Sequence, residues 1–172
     1  KNRSLPHPVY AGLVEEVDHQ VGRIVKEVEA QGLTENTMIV FTSDNGGLIK
    51  RYDYNEQSDN IVSDLAPLKG EKGSLHEGGI RVPWIVRWPG RVRAGATSAA
   101  RFVGTDLLPT LATATKTALP RGVVLDGRNA LPLWLGEAAA KADAARPLVW
   151  HFPYYHPETG FPSARAAIGV DD

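Results

Sequence analysis

The sequence has 172 residues, no cysteine and a formal net charge of -1 at pH 7. The near-neutral charge gives no electrostatic basis for binding nucleic acid or an anionic membrane, and the lack of cysteine excludes disulfides, thiolate zinc sites and a cysteine nucleophile within these residues. No apolar run approaches the about 20 residues of a membrane span, and no signal peptide is visible after the basic start at Lys1. The length suits one domain or a large part of one.

The first predicted element is a long amphipathic helix from about Val9 to Gln31. Its apolar residues recur at helical spacing, with charged residues on the other face: Tyr10, Leu13, Val14, Val17, Val21, Ile24, Val25 and Val28. Gly32 is predicted as the C-terminal stop. Gly22 costs about 1 kcal/mol relative to alanine within a helix, which predicts close packing at that point.

The next predicted element is a buried strand. The turn Thr34–Thr37 leads into Met38–Phe41, an unbroken apolar run that is typical of a buried strand in an α/β sheet. A helix, a short turn and a buried strand form the crossover pattern of a largely parallel sheet. Ligands of such sheets bind just beyond the carboxyl ends of the strands.

Asp44 and Asn45 lie at that end of the predicted strand, followed by Gly46 and Gly47. A carboxylate and an amide carbonyl are oxygen ligands that calcium and magnesium prefer. Both residues are therefore candidate metal ligands. The alternative interpretation is an ordinary Asn-Gly turn after a strand.

Two loops follow. The polar stretch from Lys50 to about Asp64 is predicted to be a long surface loop over the site. The second motif, Gly70–Pro83, has four glycines within ten residues, which let a backbone approach a ligand closely. Lys72 in this motif offers a compact positive charge for an oxyanion. The alternative is a solvated glycine loop with ordinary surface charges.

Four further elements are predicted downstream. Trp84–Trp88 has the pattern of a strand and ends at a Pro-Gly turn. A helix follows Asp106, which is expected to be its N-cap rather than a ligand, with Pro109 at the third helical position. A short helix is predicted from about Leu131 to Leu135, and Leu148–Phe152 is a strand candidate.

The C-terminal part contains two histidines close to aromatic residues. His151 lies in the last predicted strand, and His156 lies in an aromatic loop that begins at Pro153. His151 is a candidate for lining a substrate pocket, and His156 is a weaker one, with a structural role as the alternative for both. The Ala-rich segment Ala138–Ala145 is predicted to be a surface segment, and no element is predicted from Ser163 to Asp172.

Taken together, these motifs make the chain resemble the type I, formylglycine-dependent sulfatases of the alkaline phosphatase superfamily. The resemblance extends from about Pro8 to Ser163, and the matching segments come in the order of that family. They are the long helix, Glu35–Gly46, Lys72–Ser74, Glu77–Pro83, Trp88–Gly90, Asp106–Thr110, Leu125–Gly127 and Trp150–Pro153. The resemblance implies an α/β fold, an alkaline phosphatase-like sandwich of helices around a mostly parallel mixed sheet, which is incomplete in this chain.

The resemblance also implies an activity, the hydrolysis of sulfate esters, and roles for individual residues. Asp44 and Asn45 match the positions that bind a divalent cation in the family, usually calcium, with magnesium as the alternative. Lys72 matches the lysine that contacts the sulfate, so it is expected to act in catalysis and substrate binding. Glu77 and Arg81 are expected to form a buried ion pair or to brace the end of a strand.

Several parts of the family's site are missing from these residues. The formylglycine nucleophile is made within a C/S-x-P-x-R motif, and Ser4–His7 begins like that motif but lacks the arginine. The family's first metal-binding aspartates and its upstream lysine and histidines are also missing. We therefore expect residues 1–172 to be a central-to-C-terminal part of a catalytic domain, with the nucleophile before Lys1 and a small sheet domain after Asp172.

Other expectations follow from the resemblance. The substrate is expected to be a sulfated small molecule or polysaccharide, and the full-length parent is expected to need a formylglycine-generating or sulfatase-maturing enzyme. No nucleic acid or membrane partner is expected, and the family is mostly exported to the periplasm, the cell exterior or the lysosome. The alternatives are a phosphodiesterase or phosphonate hydrolase of the same superfamily, and an inactive truncated chain.

Overall fold

The structure, a computed structural model, describes residues 7–49, 61–137 and 147–153, together with the backbone of residues 164–168. Outside these residues lie most of the predicted loop after Lys50, the Ala-rich segment Ala138–Ala145, His156 and its aromatic loop, and the last residues of the chain. The chain divides into two compact units, and the divisions fall between Ile85 and Val86, between Val149 and Trp150 and between Ala166 and Ala167.

The described elements follow one another in a mixed helix and strand order. They are α1 (Pro8–Ala30), a 3-10 turn (Thr34–Asn36), β1 (Ile39–Thr42), α2 (Glu77–Ile80), β2 (Trp84–Arg87), a 3-10 turn (Gly104–Asp106), α3 (Leu107–Ala114), α4 (Leu131–Trp134), β3 (Leu148–Phe152) and β4 (Ala164–Ile168). β1 pairs with β2, and β3 pairs with β4, in two separate two-stranded sheets. Among the described helices, none combines the length and apolarity needed to cross a membrane.

The predicted long helix is confirmed as α1, and hydrogen bonds close both of its ends. At the N-terminus, Nδ1 of His7 accepts from the backbone N–H of Val9 at 3.3 Å. At the C-terminus, Gly32 adopts a left-handed φ of 67°, and the N–H of Leu33 donates to the carbonyl of Val28 at 3.0 Å. This is the glycine-terminated cap that the sequence predicts, because glycine adopts this conformation without a steric penalty.

The apolar face of α1 is largely exposed. No residue of the helix is buried, and the exposed fractions of Val9, Leu13, Val14, Val17 and Ile24 range from 51% to 68%. The close packing predicted at Gly22 is wrong, because a Cβ built at this residue meets no atom within 4 Å. The helix therefore contributes little burial to the part of the chain that the structure describes.

The predicted buried strand is present as β1, but its side chains are only partly covered. Ile39, Val40 and Phe41 are half-buried rather than buried. Unbroken apolar runs are typical of strands that are covered on both faces, whereas β1 has one hydrogen-bonded neighbour, β2, within the described residues. The predicted strands Trp84–Trp88 and Leu148–Phe152 are confirmed as β2 and β3, while β4 was missed.

A small buried polar network lies in the second compact unit, where α3 follows a 3-10 turn. Asp106 occupies the N-cap position of α3 and Pro109 its third position, as predicted, but the Asp106 carboxylate makes no hydrogen bond to the first turn of that helix. Instead, it accepts from the backbone N–H of Val103 at 3.2 Å and from that of Arg128 at 2.8 Å. Asp106 thus joins the start of α3 to the loop before α4.

Thr110 extends this network from within α3. It is fully buried, with 0% exposure. Its hydroxyl donates to the carbonyl of Asp106 at 2.6 Å and accepts from the N–H of Ala130 at 2.8 Å. Phe102 and Trp134 pack beside this region, with ring centroids 5.6 Å apart. α4 ends at Trp134 with Leu135 as its C-cap residue, close to the predicted end at Leu135.

Candidate functional site

The candidate site is built around the four residues that follow Asn45, which we call the post-strand segment (Gly46–Ile49). At its start, the N–H of Gly46 donates to the carbonyl of Gly79 at 2.8 Å. A Cβ at Gly46 would lie 1.9 Å from the carbonyl oxygen of Gly78. Only glycine permits this approach, so the glycine-rich motif packs directly against the chain leaving β1.

Two further hydrogen bonds attach the glycine-rich motif to the post-strand segment. The backbone N–H of Lys72 donates to the carbonyl of Gly47 at 2.8 Å. The Glu71 carboxylate accepts from the N–H of Ile49 at 2.6 Å through Oε2. Glu71 and Lys72, which are consecutive in the motif, are therefore bonded to Ile49 and Gly47 of the segment.

Another part of the chain holds the other side of the post-strand segment. The N–H of Val62 donates to the carbonyl of Ile49 at 2.8 Å, and the buried Ser63 hydroxyl donates to the carbonyl of Leu48 at 2.6 Å. The N–H of His7 donates in turn to the carbonyl of Val62 at 2.9 Å. The segment thus connects the glycine-rich motif with the start of α1.

The glycine-rich motif folds tightly onto itself. A Cβ at Gly78 would lie 2.0 Å from the carbonyl oxygen of Gly70, and a Cβ at Gly79 would lie 2.1 Å from that of Ser74. The motif also contains the one-turn helix α2, which the sequence analysis did not predict. The observed close approaches of these glycines are therefore to the protein's own backbone.

Asp44 and Asn45, the predicted metal ligands, lie directly after β1. Asp44 is exposed, and its Oδ1 lies 3.5 Å from the Ser43 hydroxyl, too far for a strong hydrogen bond. Asn45 is half-buried, and its Nδ2 donates to the carbonyl of Gly46 at 2.9 Å. Because the amide nitrogen is engaged in this way, the oxygen Oδ1 is the atom left to bind a cation.

These two residues fit a hard cation in the type of their donor atoms, a carboxylate and an amide oxygen. Two ligands do not complete a calcium site, which takes about six to eight oxygens. Within residues 7–49, 61–137 and 147–153, no group of three or more His, Asp or Glu side chains is arranged to hold a metal ion. Asp44 and Asn45 would therefore make up only part of a calcium ligand set.

The structure brings Lys72 to the same region through its backbone. Its hydrogen bond to Gly47 lies two residues beyond Asn45. The Lys72 side chain is exposed, and no hydrogen bond or ion pair of this side chain is present among the described residues. His151, the other predicted substrate-binding residue, lies exposed on β3, and no hydrogen bond within the described residues joins it to Asp44, Asn45 or Lys72.

Two acidic residues of the glycine-rich motif differ from the expectations. Glu77 and Arg81 do form an ion pair, at 3.4 Å, but their side chains are 51% and 66% exposed, so the expected burial of this pair is wrong. Exposed pairs of this kind contribute about 0–1 kcal/mol. The sequence analysis assigned no role to Glu71, although its position directly before Lys72 was a signal that it could act on that residue.

Comparison with known proteins gives matches that include the strand end at Asp44 and the glycine-rich motif. The family model described as Sulfatase matches residues 3–117. The chain belongs to the sulfatase family. This sulfatase chain is 36% identical over 136 residues to the steryl-sulfatase of Mus musculus, a match that covers 79% of this chain and 21% of that protein.

Two solved structures are also similar to this sulfatase chain. Ps i-CgsB in complex with k-i-k-neocarrahexaose has a TM-score of 0.72 and 33% identity, covering 87% of this chain and 30% of that one. A protein in complex with its substrate D-glucosamine-2-N,6-O-disulfate has a TM-score of 0.63 and 25% identity, covering 90% and 27%. These similarities confirm the predicted alkaline phosphatase-like α/β fold with an incomplete sheet. The sulfatase chain spans between 21% and 30% of the length of these three proteins.

Proposed function

We propose that residues 1–172 form the central-to-C-terminal part of a sulfatase catalytic domain, and that the complete protein hydrolyses sulfate esters. The observation that carries this proposal is the family match over residues 3–117, which includes the strand end at Asp44 and the motif around Lys72. The alkaline phosphatase-like fold alone does not distinguish a sulfatase from a phosphodiesterase, because one fold can support several functions. The match to the sulfatase family favours sulfate esters.

In this proposal, Asp44 and Asn45 bind a divalent cation, with calcium as the first choice and magnesium as the second. The support is the pair of oxygen donors at one strand end, with the Asn45 nitrogen already bonded to Gly46. The remaining oxygen ligands come from other parts of the complete protein. The cation supplies positive charge that offsets the negative oxygens of the sulfate group.

Lys72 is proposed to contact the sulfate and to act in catalysis. A preorganised ammonium stabilises the negative charge that develops as the ester bond to sulfur breaks. The backbone bond to Gly47 supports this role, because it attaches Lys72 to the chain two residues after Asn45. A formylglycine, installed by a maturing enzyme in the segment before Lys1, would supply the nucleophile.

The substrate is proposed to be a sulfated saccharide, with a sulfated small molecule as the second choice. Both solved structures with high similarity hold saccharides, while the name of the mouse relative points to a sterol ester. His151, exposed on β3, is proposed as an additional substrate-binding residue. Export to the periplasm, the cell exterior or the lysosome is proposed because most members of the family are exported.

The test is a pair of alanine variants in the complete protein. Lys72→Ala is expected to lower kcat on an aryl sulfate by about 10²- to 10³-fold, the loss typical of a group that stabilises transition-state charge. Lys69→Ala, which removes an exposed lysine of the same segment, is the matched control and is expected to remain near wild type. A Lys72→Ala variant with near wild-type activity would refute the Lys72 assignment, and greater wild-type activity on a phosphodiester would favour the sister enzymes.

A further inference from the structure

We propose that Glu71 is a positioning residue that orients Lys72 towards the site. The carboxylate accepts from the backbone N–H of Ile49 at 2.6 Å, and this bond fixes the residue directly before Lys72. The inference rests on the proposed function of Lys72. It goes further by assigning a task to a side chain that bonds to the backbone of the post-strand segment.

Two hydrogen bonds attach the residues at Lys72 to the post-strand segment. The hydrogen bond from Lys72 N–H to the carbonyl of Gly47 fixes one point of the motif. The other backbone bond between the motif and the segment, from the N–H of Gly46 to the carbonyl of Gly79, lies seven residues after Lys72 in the chain. The second bond, from Ile49 to Glu71, lies two residues further along the post-strand segment. Two attachments of consecutive residues restrict the position of the Lys72 backbone and the direction in which its side chain leaves the backbone.

The second step concerns the strength of this attachment. Hydrogen bonds with an ionised acceptor are stronger than bonds between neutral groups. Ile49 is half-buried, and its carbonyl accepts a hydrogen bond from the N–H of Val62. The residue that donates to Glu71 is therefore itself attached to another part of the chain.

The third step concerns the flexibility of the motif. Gly70 and Gly73 flank Glu71 and Lys72, with φ values of 78° and 89°. Glycine has more conformational freedom than any other residue, and hydrogen bonds within the motif restrict this stretch, from the N–H of Ser74 to the carbonyl of Glu71 and from the N–H of Gly78 to that of Lys69. The carboxylate of Glu71 adds the constraint that ties this closed turn to the post-strand segment.

The experiment is a double-mutant cycle in the complete protein, assayed on an aryl sulfate. Glu71→Ala is expected to lower kcat/KM by about 10- to 100-fold, the size of loss that follows a misplaced catalytic group. Glu71→Gln keeps an acceptor oxygen and is expected to recover most of this loss. In the Lys72→Ala background, Glu71→Ala is expected to add no further loss, because the two residues act as a unit.

The control is Glu77→Ala, which removes an acid of the same motif with an exposed ion pair and is expected to retain near wild-type activity. Amide exchange gives a readout that is independent of activity: Glu71→Ala is expected to speed exchange at Ile49 and Lys72, and Glu71→Gln is not.

Four results would overturn the positioning role. They are a fully active Glu71→Ala enzyme, an equal loss in both backgrounds, a Glu71→Gln enzyme as impaired as Glu71→Ala, and unchanged exchange at Ile49. If Lys72→Ala is inactive while Glu71→Ala is fully active, only this inference fails. If Lys72→Ala is itself fully active, the proposed function of Lys72 fails together with it.

Discussion

Replacing Asp106 with asparagine tests the buried network that joins α3 to the loop before α4. The side chain is 2% exposed and accepts backbone N–H groups from Val103 and Arg128. Asparagine keeps the shape but has one acceptor oxygen, so its amide nitrogen faces one of these donors. Losing one bond to a charged acceptor costs about 1.5–3 kcal/mol. We therefore expect Asp106→Asn to lower the free energy of unfolding by about 2–3 kcal/mol.

The assay is urea unfolding of the 172-residue chain, followed by tryptophan fluorescence. Trp134 packs against Phe102 in the same unit and reports on this region. The control is Asp126→Asn, an exposed aspartate close to Arg128 in the chain, for which we expect a change within about 0.5 kcal/mol. If Asp106→Asn changes the unfolding free energy as little as the control does, the two hydrogen bonds do not stabilise the fold as we reason.

Three further predictions concern the glycines and the isolated chain. Gly22→Ala should stabilise α1 by about 1 kcal/mol, because its Cβ enters open space; a loss of helical circular dichroism or stability would contradict this. Gly46→Ala should destabilise the chain by about 3 kcal/mol or more, because its Cβ would lie 1.9 Å from the Gly78 oxygen. The control Gly12→Ala should not destabilise it, because a Cβ at Gly12 enters open space. Equal unfolding midpoints for the two variants would refute the close approach at Gly46. The isolated 172-residue chain should show no turnover of an aryl sulfate, even with calcium. Calcium-dependent turnover would contradict the proposal that the nucleophile lies outside these residues.

The elements that the sequence predicts well are those with local signals. α1 has an apolar period of a helix and ends at Gly32, and β3 is a short apolar run, so both bounds are close to those observed. β4 (Ala164–Ile168) was missed because three of its five residues are alanine, which has low strand preference and little apolar area. The burial of β1 was overestimated. An apolar run shows that a strand is suited to burial, but the strands and helices packed around it determine how much of its surface is covered.

The hydrogen bonds that organise the site could not be predicted, because they join residues far apart in the chain. Glu71 reaches Ile49 across 22 residues, and Asp106 reaches Arg128 across the same separation. No periodicity or turn signal encodes such a pair, since tertiary packing brings the partners together. Asp44, Asn45 and Lys72 were identified through their chemistry and the ordered motifs of the family, and their roles stay predictions.

The most direct test of the shared cation and sulfate site is a crystal structure of the complete protein with calcium and a sulfated saccharide. We expect calcium to lie about 2.3–2.6 Å from a carboxylate oxygen of Asp44 and from Oδ1 of Asn45, with the Lys72 ammonium bonded to a sulfate oxygen. Calcium bound away from Asp44 and Asn45, or a well-ordered Lys72 ammonium directed into solvent, would contradict the account.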